Sequence, residues 1–577
     1  MQLASHSTPL QPTAGIIARL AALAPVWLAL LAALTYWPSL DNGFHLDDYA
    51  NFVEVQEMHV ETLSLDTLGP AMDAALLDRR PIPNASLVID WWRGGGDPVP
   101  FQQTNIVIHV LCALAVFAFV LTMLVLAAPD PESRTRQRLI ALGAAAIWAV
   151  HPIQVQAVTY IVQRMASMVA LFFLASVVCY IAARRTEGFA KALLWWALTV
   201  AFAACALMSK ENALMLPPAL ILAEYGLCRR PGAQFRYWFD RYLWLAVVVL
   251  TLYVALDLFV IQGPVSVKMN FAYIFRDFTM EERILTQPRV LLFHLGQLLW
   301  PLPDRFSLEH DFQISQGLLS PPSTLAAIVF LAVWLVGGLI AFFSRHYRII
   351  GFLALFPLVV LIPESTVHGL EMVFEHRMYL PSAALVALLA LAVQRTITAV
   401  PGTAQVCATV TVLVIGLLAA ATVVRLPEWR DEVTLGQANI RNAPTAWRPR
   451  LSYGIALKRQ GRHAEATEAI VTGARLAGDD RKGLEIAAVA LSEMDRLPQA
   501  IALLSRLQEL NVKAPYVRQQ KLLGQMLLRC GRPAEARQAL AVARQSAPWD
   551  TEVDALLDLA DRIDRSATVA AECARTG

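Results

Sequence analysis

The chain has 577 residues, of which 56% are hydrophobic, and its mean hydropathy is +0.49. This apolar content is higher than that of soluble globular proteins, so it excludes that class for most of the chain and indicates a membrane protein. The formal net charge is only +2, which provides no basic footprint, and we therefore expect no nucleic-acid partner.

Charged residues are concentrated in the C-terminal part of the sequence. Residues 425–577 hold 42 of the 94 Asp, Glu, Lys and Arg residues. We therefore predict a transmembrane domain at residues 1–424 and a soluble domain at residues 425–577. The seven cysteines show neither a disulfide framework nor the spacing of a zinc site.

Eleven apolar stretches are predicted to cross the membrane, because a helix needs about 20 apolar residues to span about 30 Å of hydrocarbon and shorter pieces are tolerated inside a bundle. They lie at about residues 15–37, 104–127, 138–150, 157–182, 190–208, 213–228, 241–262, 323–343, 349–363, 378–396 and 403–424. We expect the first stretch to be retained, since it is too long for a cleavable signal peptide and ends without a small-residue cleavage site. A further short piece, residues 285–300, could be a span, a re-entrant segment or an interfacial helix.

Basic loops predict the orientation, because Lys and Arg accumulate in short cytoplasmic loops. The four basic clusters are Arg134 with Arg136 and Arg138, Arg184 with Arg185 and Lys191, Arg229 with Arg230, Arg236 and Arg241, and Arg345 with Arg348. All four can be cytoplasmic only if residues 285–300 do not cross. The N-terminus is then cytoplasmic, and eleven crossings place the tail outside. The same count places on the outer side the loop at 38–103, the HPIQVQ and SKEN turns, residues 263–322 and the loop ESTVHGLEMVFEHRMY.

The tail contains a repeat with periods of 34 and 36 residues, which is typical of stacked helix pairs. The step that ends one helix and opens the next is found at Gly461–Ala466, Asp495–Ala500 and Gly531–Ala536. We predict a tetratricopeptide-like repeat domain that binds peptides or proteins. The alternative is an irregular helical bundle.

Two adjacent carboxylates, Asp47 and Asp48, follow the first span in NGFHLDDYANF. Such carboxylates repel each other and are costly to desolvate at a membrane surface, so they indicate a cation, a metal ion or a proton to be accepted. The alternative is a solvated helix cap.

Three further turns on the same predicted side carry unusual polar residues. In AVHPIQVQAVTYIVQR these are His151, Gln156, Gln163 and Arg164; in SKEN they are Lys210 and Glu211; in EHRMYLPS they are Glu375, His376, Arg377 and Tyr379. An Arg in an apolar helix needs an anionic partner, so Arg164 could bind a ligand or pair with a carboxylate of the bundle. The SKEN turn could be a polar hairpin, and the EHRMY cluster could be an interfacial anchor. Together, carboxylates and cations on one side of a membrane favour a site for a phosphorylated ligand.

The order of these motifs resembles the transmembrane and tetratricopeptide repeat-containing O-mannosyltransferases and their bacterial relatives. It runs FHLDDYANF, DRRPIPNASL, TNIVIHVL, AVHPIQVQAVTYIVQR, LMSKENALMLP, EHRMYLPS and LPEWRDEVTLGQANIRNAP, followed by the repeats, and covers nearly the whole chain. The resemblance implies an all-α fold, with a transmembrane bundle of GT-C type and a repeat domain. It also implies that Asp47 and Asp48 match the essential acidic pair of the family. The other matched motif positions are Arg80, His151, Arg164, Lys210, Glu211, His376 and Arg377. Gln156 stands where many relatives have a Glu, and it is a further candidate site residue.

From this resemblance we expect transfer of a sugar from a polyprenyl-phosphate-linked donor to a hydroxyl acceptor, with inversion. Asp47 or Asp48 would be the base, or would hold a divalent cation (Mg²⁺ or Mn²⁺), and Arg164, Lys210, His376 and Arg377 would bind the donor phosphate. The repeats would recruit an acceptor protein or glycan. The expected location is a bacterial inner membrane, with site and repeats in the periplasm. Two alternatives are a ligase or polymerase of lipid-pyrophosphate-linked glycans, and a transporter or assembly scaffold.

Overall fold

The computed structural model describes residues 18–75, 79–228, 273, 276, 278–510 and 517–565, which are predominantly α-helical and include no β-strand. The all-α prediction is thus confirmed. The predicted span 241–262 and the basic loop that precedes it lie outside the described residues. The chain divides into two compact units, one comprising Met1–Leu308 and Gln313–Asp431 and the other comprising Glu309–Phe312 and Glu432–Gly577.

The helices of the first unit are numbered in chain order over the described residues. They are α1 (Ala24–Tyr36), α2 (Leu65–Asp73), α3 (Pro81–Gly94), α4 (Pro98–Ala127), α5 (Arg134–Ala149), α6 (Val155–Thr159), α7 (Arg164–Arg185), α8 (Phe189–Leu207), α9 (Leu216–Ala223), α10 (Met280–Leu299), α11 (Ser323–Phe343), α12 (Arg348–Val360), α13 (Pro381–Ala399) and α14 (Thr403–Arg425).

Six of these helices are long and apolar enough to cross a membrane: α4, α7, α8, α11, α13 and α14. A seventh span results if α5 and the helical segment after it are counted together, although the two are bent by 53° between Ala149 and Pro152. The predicted spans at α1, α9 and α12 fall on helices of 13, 8 and 13 residues. Eleven crossings are therefore more than helix length and composition support among the described residues, whereas the membrane class stands.

The region predicted as the outer loop 38–103 is largely helical. It contains α2, α3 and the first turn of α4, which begins at Pro98 because the Asp97 side chain accepts the Val99 N–H at 3.0 Å. Pro in the first helical turn costs no hydrogen bond, since that N–H has no partner within the helix. This packed layer positions the candidate site.

Residues 285–300, the ambiguous piece of the sequence, belong to α10. A capping box at Thr279 and Glu282 begins the helix, which lies outside the set of apolar spans because its buried face is polar. Arg283, Gln287 and His294 are all buried on that face.

The second unit consists of consecutive helices around two clusters of buried, mainly Leu and Ala, side chains. The smaller cluster comprises Val433, Ala456, Leu457 and Ala466. These helices are α15 (Glu432–Asn442), α16 (Trp447–Arg459), α17 (His463–Ala477), α18 (Arg481–Glu493), α19 (Leu497–Leu510), α20 (Val517–Arg529), α21 (Pro533–Ser546) and α22 (Thr551–Arg565).

The three predicted repeat steps fall on three equivalent turns of this unit. Gly461, Asp495 and Gly531 have φ values of +75°, +58° and +66°, and each lies between the two helices of a pair. The Ala residues five positions later, Ala466, Ala500 and Ala536, are fully buried. The same local geometry thus recurs at all three turns. The positions of these turns are those that the 34- and 36-residue periods predicted.

Candidate active site

Asp48 is a buried carboxylate that holds the loop between α1 and α2. Its Oδ2 accepts the His45 N–H and its Oδ1 accepts the Val162 N–H, both at 2.8 Å, and its side chain is fully buried. Burial raises the pKa of Asp48 well above its ordinary value, although the two amide donors favour the ionised form. Asp48 therefore links this loop to the start of the helical segment that contains Arg164.

Asp47, one residue earlier, is exposed. Its backbone N–H donates to the Tyr160 hydroxyl at 2.9 Å. The surrounding protein raises the pKa of its carboxyl by desolvation, and the Tyr160 hydroxyl lowers it by hydrogen bonding. The charges of Glu371 and Arg276 also affect this pKa, so the two groups lie near Asp47. Of the predicted acidic pair, Asp47 is the carboxylate that an incoming molecule can reach.

A strained residue, Leu46, immediately precedes the two carboxylates. Leu46 has a φ of +37°, which is unfavourable for a bulky side chain and costs about 1–3 kcal/mol. The residue before Leu46, His45, holds this turn against Trp429, since His45 Nε2 lies 2.7 Å from the Trp429 carbonyl oxygen. Burial lowers the pKa of His45 to about 4, so the ring is neutral at pH 7 and its Nε2–H can donate to this carbonyl.

Arg164 belongs to a buried structural network rather than to an open cation site. Its guanidinium donates to Asp90 Oδ2 at 2.7 Å, Asn105 Oδ1 at 2.9 Å, Ser86 Oγ at 3.0 Å and the Phe101 carbonyl oxygen at 3.0 Å. These bonds occupy four of its five N–H groups, and both members of the ion pair are buried. The expectation that Arg164 binds the donor phosphate is corrected accordingly: the structure supports the alternative of a carboxylate partner within the bundle.

The SKEN turn carries two ion pairs with residues far away in sequence. Arg80 binds Glu211 through two bonds of 3.0 and 2.7 Å, and Lys210 Nζ donates to Glu364 Oε1 at 2.8 Å. Desolvation raises the pKa of Glu211, but the hydrogen bond and charge of Arg80 outweigh it and lower the pKa overall. The predicted residues Arg80, Lys210 and Glu211 are therefore brought together.

Two arginines that sequence reasoning missed complete this charged region. Arg283 donates to the carbonyl oxygens of Glu364, Thr366, Leu370 and Glu371, and so fixes the loop between α12 and α13. Arg276 pairs with Glu371. The motif TMEER, which opens α10, was the available signal for Arg283, because an Arg one turn inside a capped apolar helix needs buried acceptors.

His376 and Gln156 lie next to each other in what is called here the cationic region, which comprises Arg80, Lys210 and Arg377 around His376. The His376 N–H donates to Gln156 Oε1 at 2.9 Å, and both side chains are buried. His376 Nδ1 and Gln156 Nε2 have no hydrogen-bond partner among the described residues. Burial lowers the pKa of His376 well below its ordinary value, and the charges of Lys210 and Arg377 lower it further. His376 is therefore neutral at pH 7 in a positive local potential.

Arg377 is held by backbone groups of the same loop. Its guanidinium donates to the carbonyl oxygens of Met372 and Glu371 at 3.0 and 2.6 Å and lies 5.4 Å from the centre of the Phe374 ring. Burial is the main cause that lowers its pKa. These acceptors are neutral carbonyls, so the positive charge of Arg377 is only partly compensated by its own hydrogen bonds.

His151 is structural. Its Nδ1 accepts the Ile153 N–H at 3.1 Å and its Nε2 lies 3.1 Å from the Leu298 carbonyl oxygen. In the same region, Glu375 pairs with Arg425 at the end of α14 at 2.6 Å. These residues fix the HP turn and the EHRMY turn in place, and their side chains are already engaged.

The acidic pair does not fit a dedicated divalent-cation site. Both oxygens of Asp48 already accept backbone N–H groups, and within the described ranges no group of three or more His, Cys, Asp and Glu side chains is placed to hold a metal ion. Mg²⁺ usually needs several oxygen ligands. The arrangement instead offers one reachable carboxylate next to a cluster of cations.

The sequence matches the family model described as dolichyl-phosphate-mannose-protein mannosyltransferase over residues 84–271. Protein O-mannosyl-transferase TMTC4 of Homo sapiens is 27% identical over 209 residues, which are 33% of this chain and 28% of that protein. Protein O-mannosyl-transferase TMTC3 of Homo sapiens is 26% identical over 186 residues, which are 31% of this chain and 19% of that protein. The matched stretch thus spans less than a third of the length of each relative. No solved structure matches the chain.

Proposed function

Since this chain is related to the protein O-mannosyl-transferases of the TMTC type, we propose that it is an integral-membrane glycosyltransferase. It moves a sugar from a polyprenyl-phosphate-linked donor to a hydroxyl group of a secreted or surface protein, with inversion at the anomeric carbon. Mannose, named in the relatives, is the first sugar to test. The reachable Asp47 carboxylate, set beside the cationic region, is the observation that carries the proposal.

Asp47 acts as the general base. The acceptor hydroxyl gives its proton to the Asp47 carboxylate while its oxygen attacks the anomeric carbon. The bond between that carbon and the phosphate oxygen breaks, and the electron pair leaves with the polyprenyl phosphate. A raised pKa makes the ionised Asp47 carboxylate a stronger proton acceptor.

The leaving phosphate is stabilised by Lys210, His376 and Arg377, with Gln156 as an additional donor. The unpartnered Gln156 Nε2 supports this assignment, because a buried N–H group without an acceptor is costly and a phosphate oxygen would satisfy it. Lys210 is paired with Glu364, so donor binding would exchange this carboxylate for phosphate. Most of the rate enhancement is expected from such fixed charges.

The repeat unit recruits the acceptor. Stacked helix pairs commonly bind extended peptides along one face, and the recurring turns at Gly461, Asp495 and Gly531 support such a stack. The proposal places this unit on the outer side of the membrane. Cys530 within it is disulfide-bonded, which supports an oxidising compartment.

The experiment compares three variants in membranes supplied with labelled polyprenyl-phosphate mannose, with label in protein as the readout. Asp47→Asn is expected to lower transfer by about 10²–10⁴-fold without changing thermal stability, since a general base is lost. Asp66→Asn, an exposed control in α2, should keep wild-type transfer. Asp48→Asn should lower the thermal unfolding midpoint as well as transfer, because its amide group would face a backbone N–H.

Wild-type transfer in Asp47→Asn would contradict the base assignment. Absence of transfer from this donor in the wild type, combined with transfer from a lipid-pyrophosphate-linked glycan, would contradict the donor class and favour the ligase alternative.

A further inference from the structure

A second charged cavity lies in the first unit, at the opposite ends of the helices that carry the candidate active site. It has a volume of about 390 Å³ and lies where α4, α7 and α13 end and α12 begins. α7 starts at Arg164 and α13 starts just after Arg377, so this cavity is a full helix length away from both. Its basic lining residues are Arg185, Arg345, His346, Arg348 and Arg395.

Basic side chains predominate among the described residues that line this cavity, and none of these described residues is an Asp or Glu. In the candidate active site, by contrast, Arg80, Lys210 and Arg276 each pair with a Glu. Convergence of several cations on one concave surface indicates a site for an anion.

The remaining described walls are apolar apart from Gln394 and Thr398. Leu227, Ile349 and Leu391 are among the apolar lining residues. Gln394 also lines the cavity and is nine-tenths buried, and its Oε1 has no hydrogen-bond partner among the described residues. A suitable ligand therefore combines a phosphate, an apolar portion and a hydrogen-bond donor.

We propose that this cavity binds the phosphoglycerol headgroup of an anionic phospholipid. The arginines hold the phosphate, a headgroup hydroxyl donates to Gln394 Oε1, and the acyl chains extend along the apolar helix surfaces. Basic pockets between transmembrane helices on the cytoplasmic side are suited to such headgroups, and the basic loops predict that side here. The proposal is independent of the transferase activity.

A general preference for cytoplasmic Lys and Arg does not account for the arrangement. That preference is also met by Arg134 and Arg136, which are exposed and lie outside the cavity. They provide a matched control, because they carry the same charge at the same predicted membrane face.

The test measures lipid retention by the full-length protein in nanodiscs that contain phosphatidylglycerol and phosphatidylethanolamine. Wild type is expected to retain phosphatidylglycerol preferentially, as determined by native mass spectrometry after transfer to detergent. Arg345→Gln/Arg348→Gln is expected to weaken this retention about 30-fold, since each Arg contributes about fivefold. Arg134→Gln/Arg136→Gln should match the wild type. In nanodiscs that contain phosphatidic acid in place of phosphatidylethanolamine, Gln394→Leu should reduce the preference for phosphatidylglycerol, because phosphatidic acid lacks the headgroup hydroxyl.

Equal retention of the two lipids by the wild type, or unchanged retention by the Arg345→Gln/Arg348→Gln variant, would overturn the proposal. Displacement of the lipid by inorganic phosphate would also overturn it, because the site would then bind a soluble anion. If the double variant unfolds, Arg395→Gln alone takes its place, with an expected loss of about fivefold.

Discussion

Asp47 and Asp48 are neighbours in sequence, yet their side chains have different surroundings. The sequence placed both carboxylates at the predicted membrane surface and left two readings open, a reactive group and a structural cap. Asp48 accepts two amide protons as a cap would, whereas Asp47 is exposed. Sequence could not separate them, since the distinction depends on Val162 and Tyr160, which lie more than a hundred residues later.

Tyr160 is expected to set the acid limb of the activity profile. Its hydrogen bond lowers the pKa of Asp47 and thereby opposes the effect of burial, which raises it. Tyr160→Phe removes the hydrogen bond that favours the ionised Asp47 carboxylate, so the pKa of Asp47 rises. As the pH is lowered, the variant therefore loses activity at a higher pH than the wild type does. The measurement is kcat/KM for donor transfer against pH.

The matched control for this prediction is Tyr180→Phe. Tyr180 also donates to a buried carboxylate, that of Glu224. Because Tyr180 lies near the C-terminal end of α7, far from Asp47, its substitution should leave the acid limb of the pH profile unchanged. An acid limb that stays in place in Tyr160→Phe would exclude Tyr160 as a positioning residue for Asp47.

Arg164 is expected to contribute to stability rather than to donor affinity. Arg164→Gln leaves Asp90 with only Arg93 as a cationic partner in a buried site, which costs about 3 kcal/mol of the free energy of unfolding. Thermal unfolding in detergent should show this loss of stability. The fraction of the variant that is folded should keep the wild-type KM for the lipid donor. Arg93→Gln, which removes a half-exposed partner of the same carboxylate, should cost less. A raised KM with unchanged stability would restore Arg164 as a phosphate ligand.

At the scale of elements, the repeat turns show how a sequence pattern can report backbone geometry. Gly461 and Gly531 fit turns with positive φ because they lack a Cβ atom, and the poorly matching middle copy places Asp495 in the same conformation at a cost. The pattern was therefore sufficient to find the turns. It could not predict α10 in the same way, because the buried polar face of that helix depends on backbone carbonyls of the distant loop between α12 and α13.

Substitutions at two equivalent turns are expected to have opposite effects. Gly531→Ala adds a Cβ atom at positive φ and should destabilise its helix pair by about 1 kcal/mol, whereas Asp495→Gly removes a Cβ atom and should stabilise its pair by a similar amount. Hydrogen exchange of the full-length protein, followed over α18 to α21, measures both. Effects of the same sign at the two turns would contradict the proposed equivalence.

At the scale of the whole molecule, composition predicted the membrane class, because this class depends on a sum over many residues. The boundary of the tail near residue 425 stays a prediction. The number of crossings depends on individual segments, and here prediction was weaker. The helix at the predicted span 138–150 passes the length criterion only together with the segment that follows the HP turn, and three other predicted spans fall on helices of 8 to 13 residues. Short helices inside a bundle can be apolar without crossing the bilayer, so hydropathy alone could not count them.

Topology therefore needs a direct measurement, and the proposed function makes a definite prediction. The repeat unit can present an acceptor to Asp47 only if both lie on the outer side. Cysteines introduced at three exposed positions test this: Asp66→Cys in α2 and Ser546→Cys in α21 should react with a membrane-impermeant maleimide in intact cells, whereas Arg136→Cys in α5 should react only after permeabilisation. The unsubstituted protein controls for the native thiols, which include five free cysteines among the described residues.

Protection of Ser546→Cys with labelling of Asp66→Cys would show an odd number of crossings between α2 and the tail. The repeat unit would then lie in the cytoplasm, away from Asp47, and recruitment of a secreted acceptor by the repeats would be excluded. Because the Asp47→Asn assay depends on the membrane domain, the transferase proposal could survive that result while the role of the repeats could not.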